Sequence, residues 1–252
     1  MCRMIAIIGN PPQKRDLLLR FRCLSIHGKV PNGVPLGHED GWGFLSYKNG
    51  LPTYLMKSID SAWKDQKYEL AIEKIAGDEQ TILLHLRKAS SGHRRSLENT
   101  QPFVSAKYPK WSFSHNGTIY SPLFRPDSGE SDSRILFEKL LETIEKRESS
   151  ISIESAITNG LERIREEIIN NPGEKGTYSS LTFMLSDGES AYILRDFTSE
   201  KNSDYYTMFY LELEGAAIFC QEKILDGSWK PLANKELATV NRAGTVTLTP
   251  SQ

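Results

Sequence analysis

The chain has 252 residues, 38% of them hydrophobic and 25% charged, with a formal net charge of −1. That length buries a substantial core, and the balanced charge gives no reason to expect a nucleic-acid partner or an anionic membrane surface. No run approaches the ~20 apolar residues that cross a bilayer, and three cysteines without CxxC spacing (Cys2, Cys23, Cys220) argue against a disulfide framework or a zinc site.

In chain order, Met4–Ile8 is a short apolar run closed by Gly9-Asn10-Pro11-Pro12, as a buried first strand would be. Residues 13–24 carry Leu17, Leu18 and Phe21 at helical spacing, and 25–40 form a long loop. Trp42–Tyr47 and Pro52–Lys57 flank Lys48-Asn49-Gly50, where Asn-Gly signals a hairpin. A helix is expected over 61–76, then a buried strand Thr81–Arg87 that opens into a polar loop. A second strand, Trp111–Ser114, runs into His115-Asn116-Gly117. Helices over 133–147 and 152–170 each present an apolar face, the first with Asp132 or Ser133 as its N-cap. The rest is strand-rich: Leu181–Leu185, Ala191–Arg195, Tyr206–Leu213, Ala216–Cys220 and Thr245–Thr249. Strands, two central helices and strands again predict a layered α+β fold, with 1–252 as a single domain. Cys23 and Cys220 are expected to be inert buried thiols, and the whole to be a soluble cytoplasmic protein.

Cys2 follows the initiator Met directly, and its side chain is small enough for Met1 to be removed. Cys2 would then carry both a nucleophile and a base. An α-amine with a pKa of ~7.7–8.0 can take the thiol proton, directly or through one water. On the terminus alone, Cys2 is either such a nucleophile or an early residue of a buried strand.

Three islands join Cys2 at the start: His85-Leu86-Arg87-Lys88-Ala89-Ser90-Ser91-Gly92, Trp111 through Gly117, and Ser131-Asp132-Ser133. In that order they resemble the glutaminase domain of class II glutamine amidotransferases, which are N-terminal-nucleophile hydrolases. Gly37-His38-Glu39-Asp40-Gly41-Trp42-Gly43-Phe44, Glu98-Asn99-Thr100-Gln101-Pro102-Phe103 and Cys220-Gln221-Glu222, with Trp229 and Asn234, resemble its compact, stand-alone branch.

The resemblance implies a four-layer αββα sandwich of two largely antiparallel sheets flanked by helices, with its mature start at Cys2. It also implies hydrolysis of the γ-amide of glutamine, or of a small γ-glutamyl compound, through a Cys2 thioester. No cofactor or metal is implied. Asn116 and Gly117 take the family's oxyanion-hole positions, where one donor is typically worth ~2.7–4 kcal/mol; as residues alone they could equally be an ordinary turn. Arg87 takes the place of the Arg that grips the substrate α-carboxylate, for which a guanidinium suits. Ser90 is expected to line the same site, and Asp132 to receive the α-ammonium.

Lys88, Gln101 and Arg134 depart from residues common in relatives, which bears on substrate preference. His27, His38 and His85 are expected to pack or hydrogen-bond, because the amine already supplies a base. The chain has no room for a synthase domain, so any ammonia released would pass to a separate synthase or amidase subunit. Two other functions fit less of the pattern: an inactive regulatory or binding relative, and an N-terminal-cysteine hydrolase of non-glutamyl amides, which would not need Arg87 with Asp132.

Overall fold

A computed structural model of the chain describes residues 2–75, 80–89, 95–125 and 129–251. The chain begins β1 (Cys2–Gly9), α1 (Lys14–His27), β2 (Trp42–Lys48), β3 (Leu51–Ser58), α2 (Gln66–Ile75), β4 (Thr81–Arg87), β5 (Phe103–Val104) and β6 (Ser112–Asn116). Then come α3 (Asp132–Glu145), α4 (Ile153–Asn170), β7 (Thr182–Ser186), β8 (Ser190–Arg195) and β9 (Phe209–Leu213). β10 (Ala216–Cys220), β11 (Lys230–Pro231), β12 (Glu236–Asn241) and β13 (Val246–Pro250) complete it.

The strands form two sheets, ordered β11-β9-β10-β1-β4-β2-β3 and β13-β12-β8-β7-β6-β5, with antiparallel pairing throughout. Period-two alternation decides which side chains face which layer. Along β1, Ile5 and Ile7 point out to α1 and α2, where they meet Leu17, Leu18, Phe21, Tyr68 and Ile72. Met4, Ala6 and Ile8 point inward and pack between the sheets against Met184, Ile193, Ala217 and Phe219. The second sheet repeats the logic, with Phe113, Phe183 and Leu185 outward under α3 and α4. The result is the expected four-layer αββα sandwich.

Both central helices bury the faces their spacing predicts: Leu136, Phe137, Leu140, Leu141 and Ile144, then Ile157, Leu161, Ile164 and Ile168. The cap of α3 is a correction: Ser131, not Asp132 or Ser133, accepts the Arg134 N–H at 3.3 Å, which leaves Asp132 inside the first turn. Cys23 is a second correction, because it is exposed on α1 and not buried. The α2 helix starts later than expected, since residues 61–65 form a turn and the Asp65 carboxylate receives the Lys67 N–H. β9 also starts late. Tyr205 and Tyr206 leave the sheet to pack with Phe197, which brings the Tyr205 hydroxyl to the end of β1. Among the described residues, no helix is long and apolar enough to cross a membrane.

Candidate active site

Cys2 is the first residue of the middle strand of the seven-stranded sheet and pairs directly with Arg87 of β4. Both side chains lie on the face that looks into the sandwich, so the thiol and the guanidinium share one pocket wall. That pocket is narrow and lined by Cys2, Arg87, Gln101, Gly117 and Asp132, among others. Four of the six predicted site residues therefore meet there. Ser90 lies outside the described residues, and Asn116 stands immediately behind the wall.

Each neighbour is there for a local reason. Gly43 of β2 has no side chain, and the Gln101 carbonyl sits 2.2 Å from where its Cβ would be. The loop carrying Asn99 and Gln101 can therefore lie over β2 and reach the pocket. Gln101 then anchors to β6, with its Oε1 accepting the His115 N–H at 2.5 Å. Gly117 follows the same rule, because a Cβ there would lie 1.9 Å from the Ser180 carbonyl. No other residue fits this turn without moving β6 from β7. Asp40 braces the exit of β4, accepting the Ala89 N–H at 2.9 Å and donating its own N–H to the Arg87 carbonyl at 2.9 Å.

Asn116 makes an arrangement that the sequence does not announce. Its Oδ1 accepts the Cys2 N–H at 2.9 Å, and its Nδ2 donates to the Cys2 carbonyl at 3.1 Å. The same Nδ2 donates to Gln221 Oε1 at 3.3 Å, and the Tyr205 hydroxyl reaches Asn116 Oδ1 and the Cys2 carbonyl at 3.3 Å each. The carboxamide thus brackets the Cys2 backbone as another strand's peptide would. Asn116, expected as an oxyanion donor, has both N–H groups engaged here, and Gly117 is the member of the pair on the pocket wall.

Asp132 uses both carboxylate oxygens locally, Oδ2 for the Ile119 N–H at 2.7 Å and Oδ1 for the Ser133 N–H at 2.8 Å. Each oxygen has a second lone pair, and the side chain is only half-buried at the pocket, so it can still accept from a ligand ammonium.

His115 has no capacity left for acid–base work. Its Nε2 faces the Ser180 carbonyl at 3.0 Å and so carries the proton, while Nδ1 accepts from the Ser133 hydroxyl at 2.8 Å. Burial lowers its pKa and keeps it neutral. His38 is held in the same way: it donates to the Lys29 carbonyl at 3.1 Å, and burial beside Arg3 lowers its pKa to about 2.

His85, expected to pack or hydrogen-bond, differs from these two in lying beside the Cys2 thiol. It stands two positions before Arg87 on β4, so it faces the same side as Cys2, and it is fully buried. Burial alone would push the Cys2 thiol up. The positive charges around it, the His85 imidazole first among them, instead pull it well below the ordinary cysteine range. By contrast, burial pushes the Cys220 thiol up to about 12. Iodoacetamide should therefore modify Cys2 with a midpoint below the ~8.5 of a free cysteine, and His85→Gln should raise that midpoint. A midpoint that does not move would remove His85 from the site. The alternation His85-Leu86-Arg87 held this signal, since Arg87 was already placed in the site.

Comparison with known proteins adds to this geometry. A model of the class-II glutamine amidotransferases matches residues 1–207. An uncharacterized protein of Methanocaldococcus jannaschii is 27% identical over 213 residues, covering 80% of this chain. The chain spans about half the length of that curated relative, 52%. A glutamine aminotransferase class-II domain protein from Silicibacter pomeroyi shares the fold with a TM-score of 0.66 at 18% identity, 99% of each chain being covered. The glutamine phosphoribosylpyrophosphate amidotransferase of B. subtilis superposes on all of this chain through 49% of its own, with a TM-score of 0.65 at 14% identity.

Proposed function

Because the chain belongs to the class II glutamine amidotransferases, we propose that it cleaves the γ-amide of glutamine or of a small γ-glutamyl compound through a thioester at Cys2. One observation carries this reading: the Cys2 thiol, the Arg87 guanidinium and the Asp132 carboxylate line a single pocket. An α-amino acid end needs an anion acceptor and an ammonium acceptor, and a γ-amide needs a nucleophile at a distance from both. Arg87 grips the α-carboxylate in a bidentate manner, Asp132 accepts the α-ammonium, and the amide carbon then lies at Cys2.

After removal of Met1, the Cys2 amine keeps its bond to Asn116 Oδ1 and takes the thiol proton, while His85 stabilises the thiolate. Attack on the amide carbon forms a tetrahedral oxyanion. The Gly117 N–H meets it, and Asn116 Nδ2, whose two bonds at 3.1 and 3.3 Å are longer than the ~2.9–3.0 Å mode, exchanges one of them for the charged oxygen. The protonated amine then passes its proton to the leaving ammonia or amine, and water releases glutamate. Ammonia set free in this way would be handed to a partner synthase. In its support, the B. subtilis amidotransferase that superposes on this chain carries the matching region as about half of a longer polypeptide.

Arg87→Ala tests the substrate class. KM for glutamine should rise about 10- to 100-fold, matching the ~1.5–3 kcal/mol of a charge-assisted bond, with kcat little changed. A simple amide lacking the α-amino acid end should be indifferent to the change. Failure of the parent protein to release ammonia or amine from any γ-glutamyl amide would overturn the reading.

A further inference from the structure

Cys220-Gln221-Glu222, at the end of β10, has no part in the chemistry above, yet two of its side chains reach toward the nucleophile. The donors and acceptors on one of these paths are fixed by the backbone. The Cys2 N–H is a donor, so the Asn116 atom facing it at 2.9 Å must be Oδ1. Nδ2 therefore faces the Cys2 carbonyl, and the Gln221 atom that meets Nδ2 at 3.3 Å must be an acceptor, Oε1. Gln221 is fully buried and its main chain is pinned as well. Its N–H bonds the Met4 carbonyl at 3.3 Å, and its carbonyl accepts the Thr207 hydroxyl at 2.5 Å.

The second path runs through Arg3, which is fully buried. Glu222 Oε1 pairs with Arg3 Nε at 2.5 Å and also accepts the Lys29 N–H at 2.7 Å. Arg3 Nη1 then donates to the Cys2 carbonyl at 3.2 Å, and its guanidinium lies 4.4 Å over the Tyr205 ring. Two chains of hydrogen bonds thus start on adjacent residues and end on one peptide unit.

We propose that Gln221 and Glu222 are positioning residues that set the Cys2 backbone, Gln221 by orienting the Asn116 carboxamide and Glu222 by aiming Arg3. They touch neither substrate nor thiol and act through those two side chains. A residue that served only to fill the core would tolerate an apolar replacement of its own shape. A positioning residue does not, because Nδ2 then loses the acceptor that keeps the amide from rotating away.

This inference rests on Cys2 as the nucleophile, so its test includes a measurement that needs no substrate. In a Cys23→Ser background, which removes the exposed thiol, the pH dependence of Cys2 alkylation by iodoacetamide is followed alongside glutamine turnover. Gln221→Met should raise the alkylation midpoint toward that of an ordinary cysteine and lower kcat about 100-fold, the scale of a ~1 Å misplacement, with KM nearly unchanged. Gln221→Glu keeps an acceptor and should recover most of both. A folded Gln221→Met protein with the parent's alkylation profile overturns the proposal, whatever its turnover. Should that variant not fold, Glu222→Gln decides by the same profile, an unshifted midpoint again overturning it. If the parent hydrolyses no γ-glutamyl amide, the substrate assignment falls while the alkylation profiles still judge the positioning role.

Discussion

Cys2→Ala should abolish hydrolysis of glutamine, lowering turnover on the order of 10⁶-fold, the size of loss recorded when a protease loses its nucleophile. The fold should survive. The change deletes one sulfur atom at the end of β1, and its neighbours along the strand, Met4 to Ile8, hold the sheet through their own burial and pairing. Its stability cost should be about 1 kcal/mol, ordinary for a point substitution. An electrophilic glutamine analogue should add once to the parent by intact mass and not at all to Cys2→Ala. Addition at Cys23 or Cys220 would defeat the scheme. Cys23 is the sharper control, because it is exposed and Cys2 is nearly buried. Selective reaction at Cys2 would therefore report activation and recognition, not access. The same spectrum reads whether Met1 has been removed, on which the amine base depends.

Asn116→Ala should be the next most damaging change. It removes the acceptor for the Cys2 N–H and leaves that group buried without a partner, at a cost of about 1–3 kcal/mol in stability. It also releases the Cys2 carbonyl, Gln221 and Tyr205, which all meet on this one carboxamide. Loss of an oxyanion donor alone typically costs ~10²–10³ in kcat, and a shifted nucleophile adds to it. The loss should fall on kcat, with KM nearly constant, if Arg87 and Asp132 hold the amino acid end as proposed. Asn116→Asp separates the two contributions: it keeps an acceptor for the Cys2 N–H but cannot donate to the oxyanion or to Gln221. Steady-state kinetics on both variants checks this. A kcat within a few fold of the parent in Asn116→Ala would remove the residue from the transition state.

The helices were legible because a 3.6-residue period shows itself over fourteen or eighteen residues, and the buried faces of α3 and α4 follow it. The same period should have placed Cys23 correctly. It lies two positions after Phe21, about 200° around the helix from the buried face, so its apolar character said less than its angle. β5 and β11 are two residues long and carry no period of their own; their pairing partners define them. β12 was missed although Leu237, Ala238 and Val240 are buried, since its polar neighbours mask the pattern in a short run. The α3 cap was ambiguous for a plain reason: Ser131, Asp132 and Ser133 are all good caps, and only φ/ψ chooses among them.

The pocket was legible where chemistry is local, in Cys2, Arg87, Gly117 and Asp132. What surrounds Cys2 was not. Tyr205, Gln221 and Glu222 lie more than two hundred positions from Cys2 and Arg3, and nothing in a run of residues records so distant a neighbour.

That separation has a consequence for how the protein is made. β1 is flanked by β4 on one side and β10 on the other, so it cannot be enclosed until residues 216–220 have followed it out of the ribosome. Long-range pairing of this kind carries a loop-closure cost before its contacts repay it, so the pairing with β10 should follow the more local contacts. Cys2 should therefore be seated only once β10 is in place. A chain that ends before β10 would carry the thiol without the side chains that frame it.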